Sequence, residues 1–173
     1  IDNVRYMGDW RTVRGGYIPR PLDVVAATQM GDCKDFATAA VAIARQLGYE
    51  AHVAIIHRGT QFQGLPELPM NFSNHAIAHI KADGREFWVD PTNQTTYAGG
   101  IYSDLLNRPA MILDKKQPRL AWTPKGDPKD SMIKFVSSLK FDGSLDASID
   151  VRASWLGAAA VSFAGIELSL IHI

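Results

Sequence analysis

Two alternating segments around Asp83-Gly84 constrain this chain more than any other feature. His75 to Lys81 alternates, Glu86 to Asp90 alternates again, and the Asp-Gly between them is a two-residue turn signal, which together predict a β-hairpin. A two-residue loop pairs Ala82 with Arg85, Lys81 with Glu86, His79 with Trp88, Ile77 with Asp90 and His75 with Thr92. The Lys81–Glu86 pair sets opposite charges across the strands and favours this register. Successive side chains point to opposite faces, so His75, Ile77 and His79 share one face with Trp88, Asp90 and Thr92. His75 and His79 are both diagonal neighbours of Asp90, within side-chain reach. The hairpin alone does not choose between them.

The second signal is Gly31-Asp32-Cys33-Lys34-Asp35-Phe36, which opens a helix with the single cysteine of the sequence. Phe36, Ala40, Ile43 and Leu47 recur at helical spacing and predict an apolar face. Asp32 and Asp35 in the first turn and Arg45 in the last follow the charge order that a helix dipole favours. Asp32-x-x-Asp35 resembles a capping pair, and Gly48 is a stop signal after Leu47. Cys33 then sits where unpaired backbone N–H groups favour a thiolate. The plainer alternative is a small buried hydrophobe, because free cysteine is among the most buried residue types.

Around these two signals the chain reads as follows. A short strand surrounds Val4-Arg5-Tyr6, and Gly15 to Pro21 is extended by its prolines. Asp23 to Thr28 supports a turn or two of helix. Glu50 to His57 is a β-branched run that predicts a buried strand. Gly59 to Asn74 is a loop long enough to wall a cleft. After Pro91 the chain is irregular, with a helical turn near Ser103 to Asn107 and a strand at Ala110 to Leu113. Pro118, Pro124 and Pro128 mark a boundary. Beyond it, Ile133 to Phe141 and Ser144 to Arg152 flank Asp142-Gly143 as a second hairpin. The expected division is a core over residues 1–122 and part of a β domain over 123–173.

Composition narrows the function classes. The 173 residues suffice for one domain with a real core, and 46% hydrophobic content with 21% charge is that of a globular chain. Eighteen basic residues balance eighteen acidic ones, so no net field recruits nucleic acid or an anionic membrane. One cysteine excludes an internal disulfide framework and a Cys-rich zinc site. His52 and His57 are five apart on a strand, hence on opposite faces, which argues against a shared metal site. Gly15-Gly16 is too short for a phosphate loop, and nothing resembles an EF-hand, so no cofactor or metal is expected. The chain begins at Ile1 without an initiator Met or signal peptide and reads as a piece of something longer. Trp155 to Ile173 is apolar and approaches the length of a membrane span, but Gly157, Gly165 and Glu167 interrupt it and argue against a span; membrane contact is not expected of the core.

A thiol at a helix start, a histidine on one strand and a carboxylate on the next are what thiol catalysis needs. The imidazole takes the thiol proton or holds the ion pair, and the carboxylate fixes its tautomer. The Cys33 backbone N–H is placed to donate to a tetrahedral oxyanion.

Gly31 to Asp35, Asn74-His75-Ala76-Ile77 and Trp88-Val89-Asp90-Pro91-Thr92 resemble the three core motifs of the transglutaminase-like superfamily. They are most similar to bacterial members that carry this core between β domains, and Tyr17-Ile18-Pro19-Arg20-Pro21 resembles a further segment of their pattern. The resemblance covers about residues 1 to 120. It implies an α+β, papain-like fold in which the cysteine helix packs on an antiparallel sheet carrying His and Asp. It also implies Cys33 as nucleophile, His75 rather than His79 as base, and Asp90 as the orienting carboxylate. Asp90 before Pro91 is also a strand-end turn former in its own right. Animal transglutaminases supply a side-chain oxyanion donor from a Trp upstream of the cysteine, and papain-like proteases from a Gln; Trp10, Tyr17 and Gln29 are the candidates here.

The expected activity is thiol-dependent hydrolysis or acyl transfer at an amide of a protein or peptide, through a thioester, with hydrolysis favoured. A silent scaffold that binds peptide or wall fragments in a larger envelope protein is the alternative from a different class. A third is a regulatory core docked through the C-terminal stretch. A periplasmic or envelope location follows from the resemblance alone.

Overall fold

The computed structural model describes residues 4–8, 16–59, 73–93, 101–141, 143, 147–157 and 159–160. The chain falls into two compact units, Ile1–Lys125 and Gly126–Ile173.

The first unit is α+β. Strand β1 (Arg5–Tyr6) pairs in parallel with β2 (Met30–Gly31), and helix α1 (Leu22–Thr28) lies between them in sequence. Helix α2 (Cys33–Gln46) follows directly. Strands β3 (Glu50–Ile56), β4 (His75–Ala82), β5 (Arg85–Val89), β6 (Pro109–Ile112) and β7 (Arg119–Trp122) form one antiparallel sheet in the order β5-β4-β3-β6-β7. A 3-10 turn at Ser103–Leu105 precedes β6.

The sheet separates two cores by the two-residue alternation of its side chains. On one face Val41 and Ala44 of α2 meet Ala51 and Ala78, with Val53, Ile80 and Val89 packed alongside. On the other face Ala54, Ile56, Ile77, Trp88, Ala110 and Ile112 close over Ile101 and Leu105. Small residues toward the sheet let the helix approach closely. This also corrects the predicted face of α2. The buried side chains are Asp35, Phe36, Ala37, Val41 and Ala44, whereas Ile43 and Leu47 are exposed. The helical period is right, but the phase is set by alanines that hydrophobicity alone does not rank. Leu47 caps the helix, and Gly48 adopts the expected left-handed conformation at φ 89°.

The β4–β5 register runs Ala82↔Arg85, Lys81↔Glu86, Ile80↔Phe87, His79↔Trp88 and Ala78↔Val89. Ladder pairing stops at Val89, so the expected Ile77–Asp90 and His75–Thr92 ladder pairs do not form. Lys81 bonds Glu50 of β3 at 3.1 Å rather than Glu86, which instead lies 3.7 Å from Arg119. Strand β7 was not expected; four residues beginning with Arg119, directly after Pro118, carry too short a pattern to read.

In the second unit a 3-10 turn at Pro128–Asp130 leads into β8 (Met132–Phe141), which pairs antiparallel with β9 (Ala147–Leu156). Phe141 pairs with Ala147, so residues 142–146 make the connection, not Asp142-Gly143 alone. Ile133, Phe135, Leu139 and Phe141 share one face of this ribbon, opposite Trp155, Ala153, Ile149 and Ala147, and the Phe135 and Trp155 rings lie 6.2 Å apart. Among the described residues, no helix is long and apolar enough to cross a membrane. The apolar run from 161 onward, most of the 59–74 loop and Trp10 lie outside the described residues.

Candidate active site

The start of α2 is fixed by charges around Cys33. Asp35 accepts from the Asp32 backbone N–H at 3.0 Å, and Asp32 accepts from the Lys34 backbone N–H at 3.2 Å, completing a capping box. The Arg20 guanidinium pairs with Asp35, and the Arg20 backbone N–H reaches the same carboxylate at 2.7 Å. Lys34 pairs with Asp32 through its ammonium group. The Pro19-Arg20-Pro21 segment is thereby tied to the helix start. Both carboxylates beside the cysteine are engaged by backbone N–H groups and by Arg20 or Lys34, which limits their repulsion of a thiolate. Cys33 is a free thiol, half-buried, and is the first residue of the helix, so its own backbone N–H has no intrahelical acceptor.

His75 opens β4, and Asp90 follows the last residue of β5. The His75 Nε2 lies 2.9 Å from Asp90 Oδ2, and both side chains are buried. Asp90 is aimed by the turn that its own proline starts. Thr92 donates to Oδ1 from its backbone N–H at 3.1 Å and from its hydroxyl at 2.7 Å. The turn-forming reading of Asp90 and the orienting one are therefore compatible; the Asx turn is what points the carboxylate at the ring. With Nε2 committed to Asp90, Nδ1 is the ring nitrogen that this contact leaves open, and Cys33 is among the groups that act on the charge of the ring.

Electrostatics favour a charged ring. Burial works against protonation of His75, but hydrogen bonds to Asp90 and Cys33 and their negative charges outweigh it. The His75 pKa is raised from 6.5 to about 9. Burial likewise opposes ionisation of Asp90, yet the bonds from His75 and Thr92 hold its carboxyl below the usual value. His79 behaves oppositely. It is fully buried edge-on against Trp88 at 4.8 Å, with Glu86 3.5 Å from Nε2, too far for a well-formed bond. Burial depresses its pKa, so it packs as a neutral ring.

Arg58, just beyond β3, was not singled out from the sequence. Its Nη1 lies 3.0 Å from Asp90 Oδ2 and 3.4 Å from His75 Nε2, while Nε donates to Asp104 at 3.1 Å. The guanidinium also lies over the Tyr102 ring at 5.0 Å. A lone arginine after a strand has no local signature, since its partners lie 32 and 46 residues away.

Of the three proposed oxyanion donors, Tyr17 is 98% exposed and Gln29 is an exposed left-handed C-cap of α1. Neither side chain is held against Cys33. Trp10 falls outside the described residues.

Comparison with known proteins adds one finding. The family model described as the transglutaminase-like superfamily matches residues 2–91, just over half of the chain and all of the segments that carry Cys33, His75 and Asp90. No curated protein and no solved structure gives a significant match.

Proposed function

The chain belongs to the transglutaminase-like superfamily, and from that premise we propose that it performs thiol-dependent hydrolysis or acyl transfer at an amide of a protein or peptide. Cys33 is the nucleophile, His75 the acid–base partner and Asp90 the group that orients the ring, on a papain-like core. The observation that carries this reading is the 2.9 Å His75–Asp90 contact, with the other ring nitrogen left to the only thiol of the chain.

The thiolate attacks the carbonyl carbon and the carbonyl π pair moves to oxygen. When that pair returns, the C–N bond breaks and the amine leaves with a proton from the His75 imidazolium. Water or a second amine, deprotonated by the now neutral His75, then attacks the thioester and releases Cys33. Asp90 holds the tautomer and stabilises the imidazolium in both halves. The same three groups serve hydrolysis and transfer; hydrolysis is favoured here because bacterial relatives of this core are often peptidase-like.

Iodoacetamide alkylation at pH 6 tests the reading. A free thiol is less than about 1% ionised there, so fast labelling reports the ion pair. Wild-type Cys33 is expected to react at least roughly tenfold faster than Cys33 in His75→Ala. Equal rates would sink the ion pair and leave the peptide-binding scaffold as the better account.

A further inference from the structure

We propose that the Tyr6 hydroxyl is the side-chain oxyanion donor of this site, acting with the Cys33 backbone N–H on the tetrahedral intermediate. The inference rests on the thiol chemistry proposed above and supplies the group that the exposed Tyr17 and Gln29 do not.

Backbone pairing places Tyr6 at the site. Strand β1 is bonded in parallel to β2, with Tyr6 opposite Gly31, two residues before Cys33. The Arg5 N–H donates to the Gln29 carbonyl and the Met7 N–H to the Gly31 carbonyl, both at 2.8 Å. These bonds bracket Tyr6 and fix the start of its side chain. Its ring then packs edge-on against Phe36 at 6.0 Å, and Phe36 is one helical turn from Cys33. Tyr6 is therefore held beside the helix N-terminus, not on a free loop.

The surroundings of the phenol agree with that placement. Burial raises its pKa above the ordinary value, the negative charges of Cys33, Asp32 and Asp90 act in the same direction, and Arg58 opposes them. The placement itself rests on the pairing with Gly31 and the ring contact with Phe36, and a raised pKa keeps the O–H as a donor. Among the described residues the hydroxyl has no protein hydrogen-bond partner, and Tyr6 is an exposed residue at 43%, open to an incoming substrate. An uncommitted donor beside a nucleophile is what an oxyanion requires, since a preformed bond would have to break first.

The chemistry asks for a donor and not an acid. As the C–S bond forms, the carbonyl oxygen gains a full charge, and two O–H or N–H donors stabilise it without proton transfer. When the oxyanion collapses, both donors return to their resting state.

Two reactions at the same sulfur separate this role from others. Acylation by p-nitrophenyl acetate passes through an oxyanion; alkylation by iodoacetamide is a direct displacement and does not. Tyr6→Phe keeps the ring against Phe36 and removes only the hydroxyl. The expected result is a loss of roughly 10²-fold in the acylation burst, the scale of one deleted oxyanion donor, with alkylation unchanged. An unchanged burst overturns the proposal. Equal losses in both reactions also overturn it, because Tyr6 would then be acting on the thiolate. If the wild type shows no burst above Cys33→Ala and its alkylation ignores His75, the thiol-enzyme reading fails first and the donor role falls with it.

Discussion

Arg58 and His75 share one oxygen: Nη1 of Arg58 lies 3.0 Å, and Nε2 of His75 2.9 Å, from Oδ2 of Asp90. Two cations on one carboxylate divide its field between them, and the guanidinium, 3.4 Å from the ring, opposes the imidazolium. Arg58→Gln removes the competing charge but retains a polar side chain. The His75 titration, followed by NMR of its ring carbons, is expected to move upward from its value of about 9. A downward move would show that Arg58 acts by holding Asp90 in place, not by sharing its charge.

The Asp90 carboxyl is held below its ordinary pKa in the folded protein. A lowered carboxyl binds fewer protons folded than unfolded in that range, so folding loses this contribution as pH falls. The stabilisation is complete above about pH 4, the unfolded carboxylate value, and disappears as pH drops through the folded one. Asp90→Asn is expected to flatten the acid limb of the stability curve below pH 4. At pH 7 it should cost about 3 kcal/mol, the scale for breaking one partner of a buried ion pair. Urea unfolding at a series of pH values measures both, and an unchanged acid limb would exclude Asp90 as its source.

Asp35 is completely buried and ties Arg20, the Asp32 backbone and the start of α2 together. Asp35→Ala deletes a cap and breaks the buried carboxylate's ion pair with Arg20, which is expected to lower stability by about 3 kcal/mol. A double-mutant cycle with Arg20→Ala should return a coupling of about 1 kcal/mol or more, because the two side chains are in direct contact. Additive losses would mean that the cap alone, and not the clamp on the proline-rich segment, carries the effect.

How much of this was legible depends on how local each signal is. The turn at Asp83-Gly84 is two residues long, so the β4–β5 register followed from alternation, and with it the nearness of His75 to Asp90. The helix bearing Cys33 was readable from Asp32, Asp35 and Gly48, but its buried face was not. Ala37 and Ala44 face the sheet because they are small, while Ile43 and Leu47 are left outside. The hairpin could not choose His75 over His79, because both are diagonal to Asp90. Structure separates them physically: Trp88 closes over His79, whereas His75 stands at the strand end. Arg58 reaches Asp90 and His75, and Tyr6 the start of α2, through chain reversals and strand pairing that leave no pattern near them in sequence.

Gly31 precedes the capping box, and its environment explains its size. A Cβ there would lie 3.1 Å from Asp35 Cβ and 3.3 Å from the Phe36 ring. Neither neighbour yields easily, since Asp35 is clamped by Arg20 and Phe36 is 3% exposed. Gly31→Ala is therefore expected to cost about 1–3 kcal/mol through overpacking. It should also slow Cys33 alkylation by displacing the first turn of α2. Gly48 offers the contrast: nothing lies within 4 Å of its Cβ position, but its φ of 89° is unfavourable for alanine. Gly48→Ala is expected to cost about 1 kcal/mol by conformation alone and to leave alkylation unchanged. Urea midpoints and alkylation rates for the two variants distinguish crowding at the thiol from a general loss of helix stability. Matching effects on both readouts would remove the special role assigned to Gly31.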